Sequence, residues 1–442
     1  MRNSLYTFFL INKESFYIYN SLSNSLLEIN NESYNILKSA HDKDISENDI
    51  DSELYKILKD KRFFVENQYD EFNEYKRVLL NNRNTNDFLS ITVAPTMDCN
   101  YSCPYCFESA KDIYISHKTI KSIAKFVENQ KIISDIRILW FGGEPLLGIN
   151  EIEELYLRLK SINGKTISSK IITNGYYLNQ DNIKILQSIN VSSIQISLDG
   201  LKETHNKIKY TRDCNDTFSV TIQNIDMISE LAPEIQLNIR VNIDKNNMNE
   251  YPVLYKYLHD RYRDKSNIYI APGIVQDFEN NTLTGDSKLF SRQEVMEFGI
   301  NVYKESQIAT SLVQYPDNCF KECAIRNKNV FAFDPEGYVY KCWEIIGNKK
   351  YAIGKLDSEG NIVDINHILL NRYLYGADPI DDAKCQKCAY LPICNGGCPH
   401  HRIENKFNGK NMDTCTHLKG YLSELMSIHL ERKEKSSQNN TE

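Results

Sequence analysis

From Leu89 onward, short β-branched runs alternate with longer stretches in which apolar residues recur at helical spacing. The pattern predicts strands at Leu89–Ala94, Ile136–Phe141, Ser169–Thr173, Ser193–Ser197, Ile235–Asn242 and Asn267–Ile270. Between and after them it predicts helices at Ser116–Gln130, Asn150–Ser161, Asn179–Ser188, Asp216–Glu230, Met248–Arg263 and Ser291–Ser306. Strands that alternate with helices make parallel sheets, because each helix returns the chain to the end of the sheet where the next strand begins. Six such units predict an α/β fold over residues 88–308, with the sheet curled into a partial (β/α)6 barrel.

The chain ahead of this region has a different rhythm. Leu5–Ile11 and Ser15–Tyr19 fit a hairpin across Asn12-Lys13, and apolar spacing predicts helices at Glu32–Ser39 and Glu47–Asp60. Residues 1–80 are therefore expected to form a small unit of their own, followed by the polar linker Asn81–Asp87. Beyond about residue 310 periodicity fades and cysteines take over, which sets 309–430 apart as a third region. The sharply polar stretch 431–442 is expected to be a disordered tail. No internal repeat is visible.

Composition narrows the partners. Of the 442 residues, 52 are Lys or Arg and 59 Asp or Glu, for a net charge of −7. Such a chain is poorly suited to nucleic acid or to an anionic membrane surface. The apolar run Leu5–Ile11 is too short to span a bilayer and lacks a cleavage site behind it. A cytoplasmic protein is expected. Twelve cysteines are many for that compartment, where disulfides are rare. Reduced thiols in number suggest ligands for zinc or iron–sulfur clusters.

The first group is Cys99-x3-Cys103-x2-Cys106, in the segment after the first barrel strand, where βα loops build active sites. Three thiolates can hold three irons of a [4Fe–4S] cube and leave the fourth open to a small chelating molecule. A structural zinc site is the alternative; it needs a fourth ligand, and the nearest other Cys or His is His117. After the second strand comes Trp140-Phe-Gly-Gly-Glu-Pro145, after the third Thr173-Asn-Gly175, and after the fourth Ser197-Leu-Asp-Gly200. Paired glycines let backbone approach a ligand closely.

Together these motifs resemble the radical S-adenosylmethionine (SAM) enzymes, whose signature is C-x3-C-x2-C on the first loop of a six-unit partial barrel. The resemblance implies SAM on the open iron of the first cluster. Glu144 would then accept from the SAM ammonium, Asn174 and Ser197 would meet its carboxylate and ribose, and Tyr105 its adenine. Gly142, Gly143, Pro145 and Asp199 complete the implied SAM-binding set. Many relatives place an Arg about twelve residues beyond Ser197 for the SAM carboxylate. Here that position is Lys209, with Arg212 three further on, and Lys lacks the bidentate fork of Arg.

The late group reads Cys323-x13-Gly337-x4-Cys342, then Cys385-x2-Cys388-x5-Cys394-x3-Cys398, then Cys415. This resembles the seven-cysteine SPASM domain, with Cys319 as an extra member. Two further [4Fe–4S] clusters are implied, three in all. Cys319, Cys323, Cys342 and Cys398 would hold the inner one, and Cys385, Cys388, Cys394 and Cys415 the outer one. A pair of zinc knuckles is the bland alternative. His400 and His401 beside Cys398 are read as solvated, and Cys214 as a thiol outside the ligand sets.

What the resemblance implies about activity is a radical SAM/SPASM peptide maturase. Such an enzyme generates a 5′-deoxyadenosyl radical that abstracts hydrogen from a precursor peptide. The N-terminal hairpin and helices resemble the winged-helix element that binds a leader peptide as an added strand. A low-potential electron donor of flavodoxin or ferredoxin type would supply the electron. The leading expectation is an oxidoreductase that installs thioether cross-links from Cys sulfur to carbon. Alternatives are carbon–carbon cross-linking, epimerisation, formylglycine formation on a sulfatase, or a non-enzymatic peptide-binding scaffold. Formylglycine-forming relatives carry a catalytic Asp directly after the cysteine equivalent to Cys342, where this chain has Trp343. No catalytic base is assigned; Asp334, Glu336 and Glu344 are the carboxylates near the inner-cluster cysteines.

Overall fold

The computed structural model describes residues 1–40, 44–106, 108, 111–211, 213–276, 289–320 and 323–439. The chain divides into two compact units: one combines 1–84, 312–327 and 372–442, the other 85–311 and 328–371. The expected boundaries at 80 and 309 are thus redrawn. The N-terminal segment shares a unit with most of the late cysteines, while 328–371 packs with the barrel strands.

In the first unit β1 (Arg2–Asn3) pairs with β5 (Phe64–Val65), and β2 (Thr7–Asn12), β3 (Ser15–Asn20) and β4 (Ser25–Ile29) form an antiparallel meander. The hairpin register pairs Asn12 with Ser15, so its central residues are Lys13 and Glu14, not Asn12-Lys13. Lys13 takes the left-handed φ of 54° that such a tight turn demands. Three helices follow: α1 (Asn31–Ser39), α2 (Ser52–Asp60) and α3 (Glu71–Arg83). One face of β3 packs Ile18 against Tyr34, Leu37 and Leu58, while Tyr17 and Tyr19 on the other face meet Ile393, Leu422 and Met426. Burial on both faces explains why Phe16-Tyr-Ile-Tyr19 shows no polar alternation.

Two expectations are corrected here. Arg83 at the end of α3 is buried in an ion pair with Asp378, so the helix runs on into the expected linker. Helix Leu422–Asn439 extends through most of the expected disordered tail, its buried start anchored by Leu422, Leu425 and Met426.

The second unit holds β6 (Phe88–Val93), α4 (His117–Asn129), β7 (Asp135–Trp140), α5 (Ile149–Lys160), β8 (Thr166–Thr173), α6 (Gln180–Ser188) and β9 (Val191–Leu198). Then come α7 (Lys202–Ile208), α8 (Thr217–Leu231), β10 (Gln236–Ile243), α9 (Tyr251–Arg261), β11 (Ile268–Ile274) and α10 (Arg292–Ser306). Each of Ser116, Asn179, Asp216 and Ser291 caps its helix by accepting from the backbone N–H three residues on. Ser291 and Glu294 complete a reciprocal capping box.

The sheet order is β11-β10-β9-β8-β7-β6, parallel throughout, as the strand–helix alternation predicts. It continues where no strand was expected: β12 (Val330–Phe333) joins β6 in parallel, and β13 (Tyr338–Tyr340), β14 (Gly354–Leu356) and β15 (Ile362–Val363) follow antiparallel. These strands are too short for periodicity to register. On β9 and β10, Ile194, Ile196, Leu237, Ile239 and Val241 are buried, while the alternate positions Ser193, Gln195, Ser197, Asn238, Arg240 and Asn242 are polar. The sheet therefore has one apolar and one polar face. Among the described residues no helix is long and apolar enough to cross a membrane.

Candidate functional site

The turn after β7 holds the loop after β6. Phe141 N–H donates to Val93 O at 3.0 Å, Gly143 N–H to Thr96 O at 3.1 Å and Glu144 N–H to Asp98 O at 2.7 Å. A Cβ on Gly143 would lie 2.0 Å from the Asp98 carbonyl oxygen, and one on Gly142, at φ +126°, 2.5 Å from that of Thr96. The two glycines therefore admit the approach of the loop that carries Cys99, where the sequence suggested approach of a ligand. Asp98 tightens the same loop, accepting from Cys99 N–H at 2.9 Å.

Cys99, Cys103 and Cys106 share this loop. Burial pushes the Cys99 and Cys103 thiols up, Cys103 to about 12, and Cys99 is raised further by the charges of Glu144 and the other two thiols. Thiols held this way are protonated until a cation takes their charge, so ligation would release protons. Among the described residues no three Cys, His, Asp or Glu side chains converge on one point at metal-ligand spacing. The donor set itself, three soft sulfurs on one loop within reach of each other's charge, suits an iron–sulfur cluster.

Glu144 is fully buried. Its carboxylate accepts from Leu146 N–H at 3.0 Å, Thr173 Oγ1 at 2.7 Å and Asn174 N–H at 2.8 Å. Burial raises its pKa, and these hydrogen bonds offset the shift only in part. Two carboxylate oxygens offer about four acceptor positions, so Oε2 retains capacity for a further donor, as an ammonium would be. Pro145, which lacks an N–H, opens the short turn Pro145–Gly148 behind it. Asn174 Nδ2 donates to Asn100 Oδ1 at 2.7 Å, tying the third strand end to the cysteine loop.

A second network lies on the polar face of β9 and β10. Tyr105 donates to Asp199 and accepts from Asn242 Nδ2 at 3.0 Å. Asp199 meets the Lys209 ammonium at 3.0 Å, and Lys209 also donates to Ser197 Oγ at 2.6 Å and Ser197 O at 2.8 Å. The ammonium thus makes two hydrogen bonds to Ser197 and an ion pair with Asp199. Burial works to raise the Asp199 carboxyl, but Lys209 overrides it and holds it below its usual range. Arg212 lies outside the described residues.

His205, Asn242 and Arg240 belong to this network and were not singled out from sequence. His205 is fully buried, its Nδ1 accepts from Asp199 N–H at 3.3 Å, and burial together with Lys209 lowers its pKa to about 4. The alternation Asn238, Arg240, Asn242 between apolar neighbours was the available signal for the other two. Of the three carboxylates weighed as bases, Asp334 is spent on Tyr340 OH and the backbone of its own turn, and Glu336 on Lys349. Glu344 alone of the three has no hydrogen-bond partner among the described residues; burial raises its pKa, with Arg240 opposing.

In the first unit a glycine turn follows Cys394, which lies within reach of the charges of Cys388 and Cys415, as Cys385 lies within reach of that of Cys394. Asn395, Gly396 and Gly397 are all left-handed, and a Cβ on Gly397 would lie 2.1 Å from Thr414 O. That close approach brings Cys415 to Cys394, whose thiol is raised by burial and by the charges of Cys388 and Cys415. Arg402 Nη1 reaches Cys385 Sγ at 3.7 Å. Cys398 caps helix Pro399–Asn408 in this unit, with Cys319 and Cys323 also in it, while Cys342 follows β13 in the other.

Residues 93–258 match the model of the radical SAM superfamily. The chain carries a radical SAM domain. Over 87% of its length it is 24% identical to the radical SAM cyclopropyl synthase TigE of Paramaledivibacter caminithermalis, 86% of which is covered. It is also 23% identical, over 77% of its length, to the cysteine-type anaerobic sulfatase-maturating enzyme of Clostridium novyi, 96% of which is covered. Among solved structures, anSMEcpe with bound AdoMet superposes with a TM-score of 0.60 at 19% identity, covering 79% of this chain and 99% of that one. Streptococcus suis SuiB bound to S-adenosylmethionine gives 0.54 at 16% identity, covering 94% and 99%. SuiB has also been solved bound to the precursor peptide SuiA, with a TM-score of 0.50 at 15% identity, covering 90% and 95%. At these identities the structures establish a shared fold alone, a parallel-dominated α/β sheet.

Proposed function

We propose that this chain is a radical SAM peptide maturase that abstracts hydrogen from a ribosomally made precursor peptide and installs thioether cross-links. The observation that carries the reading is the pair of networks at the strand ends, Glu144 with Thr173 and Asn174, and Tyr105 with Asp199, Lys209 and Ser197. They converge on the loop that holds Cys99, Cys103 and Cys106. In this reading those three cysteines hold the SAM-binding cluster, and Glu144 takes the SAM ammonium on its remaining Oε2 position. Bound there, SAM and the cluster supply one-electron cleavage of a sulfonium bond and hydrogen abstraction from an unactivated carbon. Cys385, Cys388, Cys394 and Cys415 hold an outer auxiliary cluster, and Cys319, Cys323, Cys342 and Cys398 an inner one. The likeness to SuiB, solved with its precursor peptide, supports a peptide substrate and a leader-binding role for β2–β4 and α1–α3. A flavodoxin- or ferredoxin-type donor supplies the electron in the cytoplasm.

Carbon–carbon bond formation is the second reading, favoured by the likeness to a cyclopropyl synthase over most of both chains. Formylglycine formation is disfavoured by Trp343, whose ring packs edge-on to Phe141 at 4.8 Å where those relatives need a carboxylate. Mass spectrometry of a small Cys-containing peptide co-expressed anaerobically with and without this chain decides between them. Thioether formation predicts a loss of about two mass units per site with thiols no longer alkylatable. The same loss with every thiol alkylatable selects carbon–carbon linkage, and no mass change with any peptide rejects cross-linking of either kind.

A further inference from the structure

Arg240 and Glu344 are two opposite charges that the protein brings near each other and leaves without a hydrogen bond between them. Arg240 is half-buried on the polar face of β10; Nε donates to Asn242 Oδ1 at 3.1 Å, and its stem crosses Gly273 so closely that a Cβ there would lie 2.1 Å from Nε. These contacts fix the direction of the guanidinium, while its Nη hydrogens have no acceptor among the described residues. Glu344 is half-buried in the turn Trp343–Ile345. That turn is seated by the Trp343 ring on Phe141 and by Gly347, where a Cβ would lie 2.7 Å from Met97 Cε. The Glu344 carboxylate also has no donor among the described residues. It feels the charge of Arg240, yet no ion pair joins them.

An occupant that satisfies both groups accepts from one and donates to the other. A free carboxylate would pair with Arg240 but face Glu344, and an ammonium would meet the reverse conflict. A main-chain amide, with a carbonyl and an N–H on opposite sides of one plane, suits both without a charge of its own. Arg240 is also linked through Asn242 to Tyr105, the residue before Cys106. The pair therefore stands beside the cysteine loop.

We infer that Arg240 and Glu344 clamp one main-chain amide of the peptide substrate, Arg240 donating to its carbonyl and Glu344 accepting from its N–H, and so set which residue is presented for hydrogen abstraction. The inference rests on the peptide reading above. Its test uses the full chain, reconstituted anaerobically with iron, sulfide and SAM, and a pool of fully deuterated Cys-containing peptides of precursor length, each with a leader segment. Deuterium arriving in 5′-deoxyadenosine reports the peptide step. Arg240→Met and Glu344→Ala are each expected to raise the peptide KM about ten- to a hundredfold, as loss of a charge-assisted hydrogen bond does. Arg240→Lys should recover part of the loss, and an ester in place of the clamped amide should penalise the parent chain but not Glu344→Ala. Unchanged KM values in both variants overturn the clamp. So does an equal fall in SAM cleavage without peptide, which would show Arg240 acting only through Tyr105. If the parent chain takes deuterium from no peptide, the peptide reading itself fails, an outcome distinct from either.

Discussion

Gly143 stands so close to Asp98 that a β-carbon on it would lie 2.0 Å from the Asp98 carbonyl oxygen. Any side chain there drives the cysteine loop off the β7 turn and breaks the Glu144 N–H to Asp98 O bond of 2.7 Å. Gly143→Ala is expected to cut SAM cleavage at least about a hundredfold, as small displacements of reacting groups do, and to bind less iron on reconstitution. Gly164→Ala is the control: nothing lies within 4 Å of its added Cβ, and only a φ of +75° penalises it. It should cost about 1 kcal/mol of stability and leave SAM cleavage intact.

Asp378 joins all three segments of the first unit. Its carboxylate takes Arg83 in a buried bidentate pair, with Nη2 to Oδ1 at 3.0 Å, and Arg326 stands 3.8 Å away. Asp378→Asn would take away the carboxylate that both buried guanidinium groups share. The expected loss is about 3–5 kcal/mol, read from the urea midpoint of the whole chain. A loss under about 1 kcal/mol would mean that water reaches both arginines.

The outer cysteine set makes a stoichiometric prediction. Cys394→Ala is expected to lower reconstituted iron by about four atoms per chain, because its thiol lies with Cys388 and Cys415 at the turn closed by Gly397. Cys214→Ala should hold as much iron as the parent. Among the described residues its backbone bonds to Thr211, in a segment away from every other cysteine in sequence. Equal iron in both variants would remove Cys394 from the ligands.

The barrel was legible because each strand–helix unit repeats its pattern over enough residues for the period to show. β12–β15 were not, since strands of two to four residues carry no period. The positions of Glu144, Tyr105 and Asp199 followed from motifs, and their partners did not. Thr173 and Asn174 bind Glu144 through strand neighbours that only the folded register brings together. Lys209 illustrates the limit: sequence offered it to a ligand carboxylate, and only the fold shows that it also bonds Ser197 and pairs with Asp199. Likewise, nothing in Arg83 or Asp378 alone marks them as partners 295 residues apart.

His205 makes stability depend on pH. Burial, aided by Lys209, lowers its folded pKa from 6.5 to about 4, so the unfolded chain takes a proton in a range where the folded chain does not. Stability is therefore full above about pH 6.5 and falls as pH drops toward about 4, by up to about 3 kcal/mol from this one group. His205→Asn can still accept from Asp199 N–H but does not titrate. Its urea midpoint should change less than the parent's between pH 7.5 and pH 5, and an equal change in both would assign the acid sensitivity elsewhere.

Lys209 and Asp199 test whether the network is a counter-charge or a SAM-carboxylate site. Lys209→Met leaves a buried carboxylate that keeps, among the described residues, the Tyr105 hydrogen bond, and Asp199→Asn leaves a buried ammonium that keeps its bonds to Ser197. Each single change is expected to cost about 3–5 kcal/mol, because a buried charge loses its partner. The double variant removes both charges and should be more stable than either single one, a coupling that urea titration reads directly. If the ammonium serves only Asp199, the double variant also regains SAM affinity toward that of the parent. If stability returns while the SAM KM stays raised as far as in Lys209→Met, the ammonium has a second partner in the SAM carboxylate.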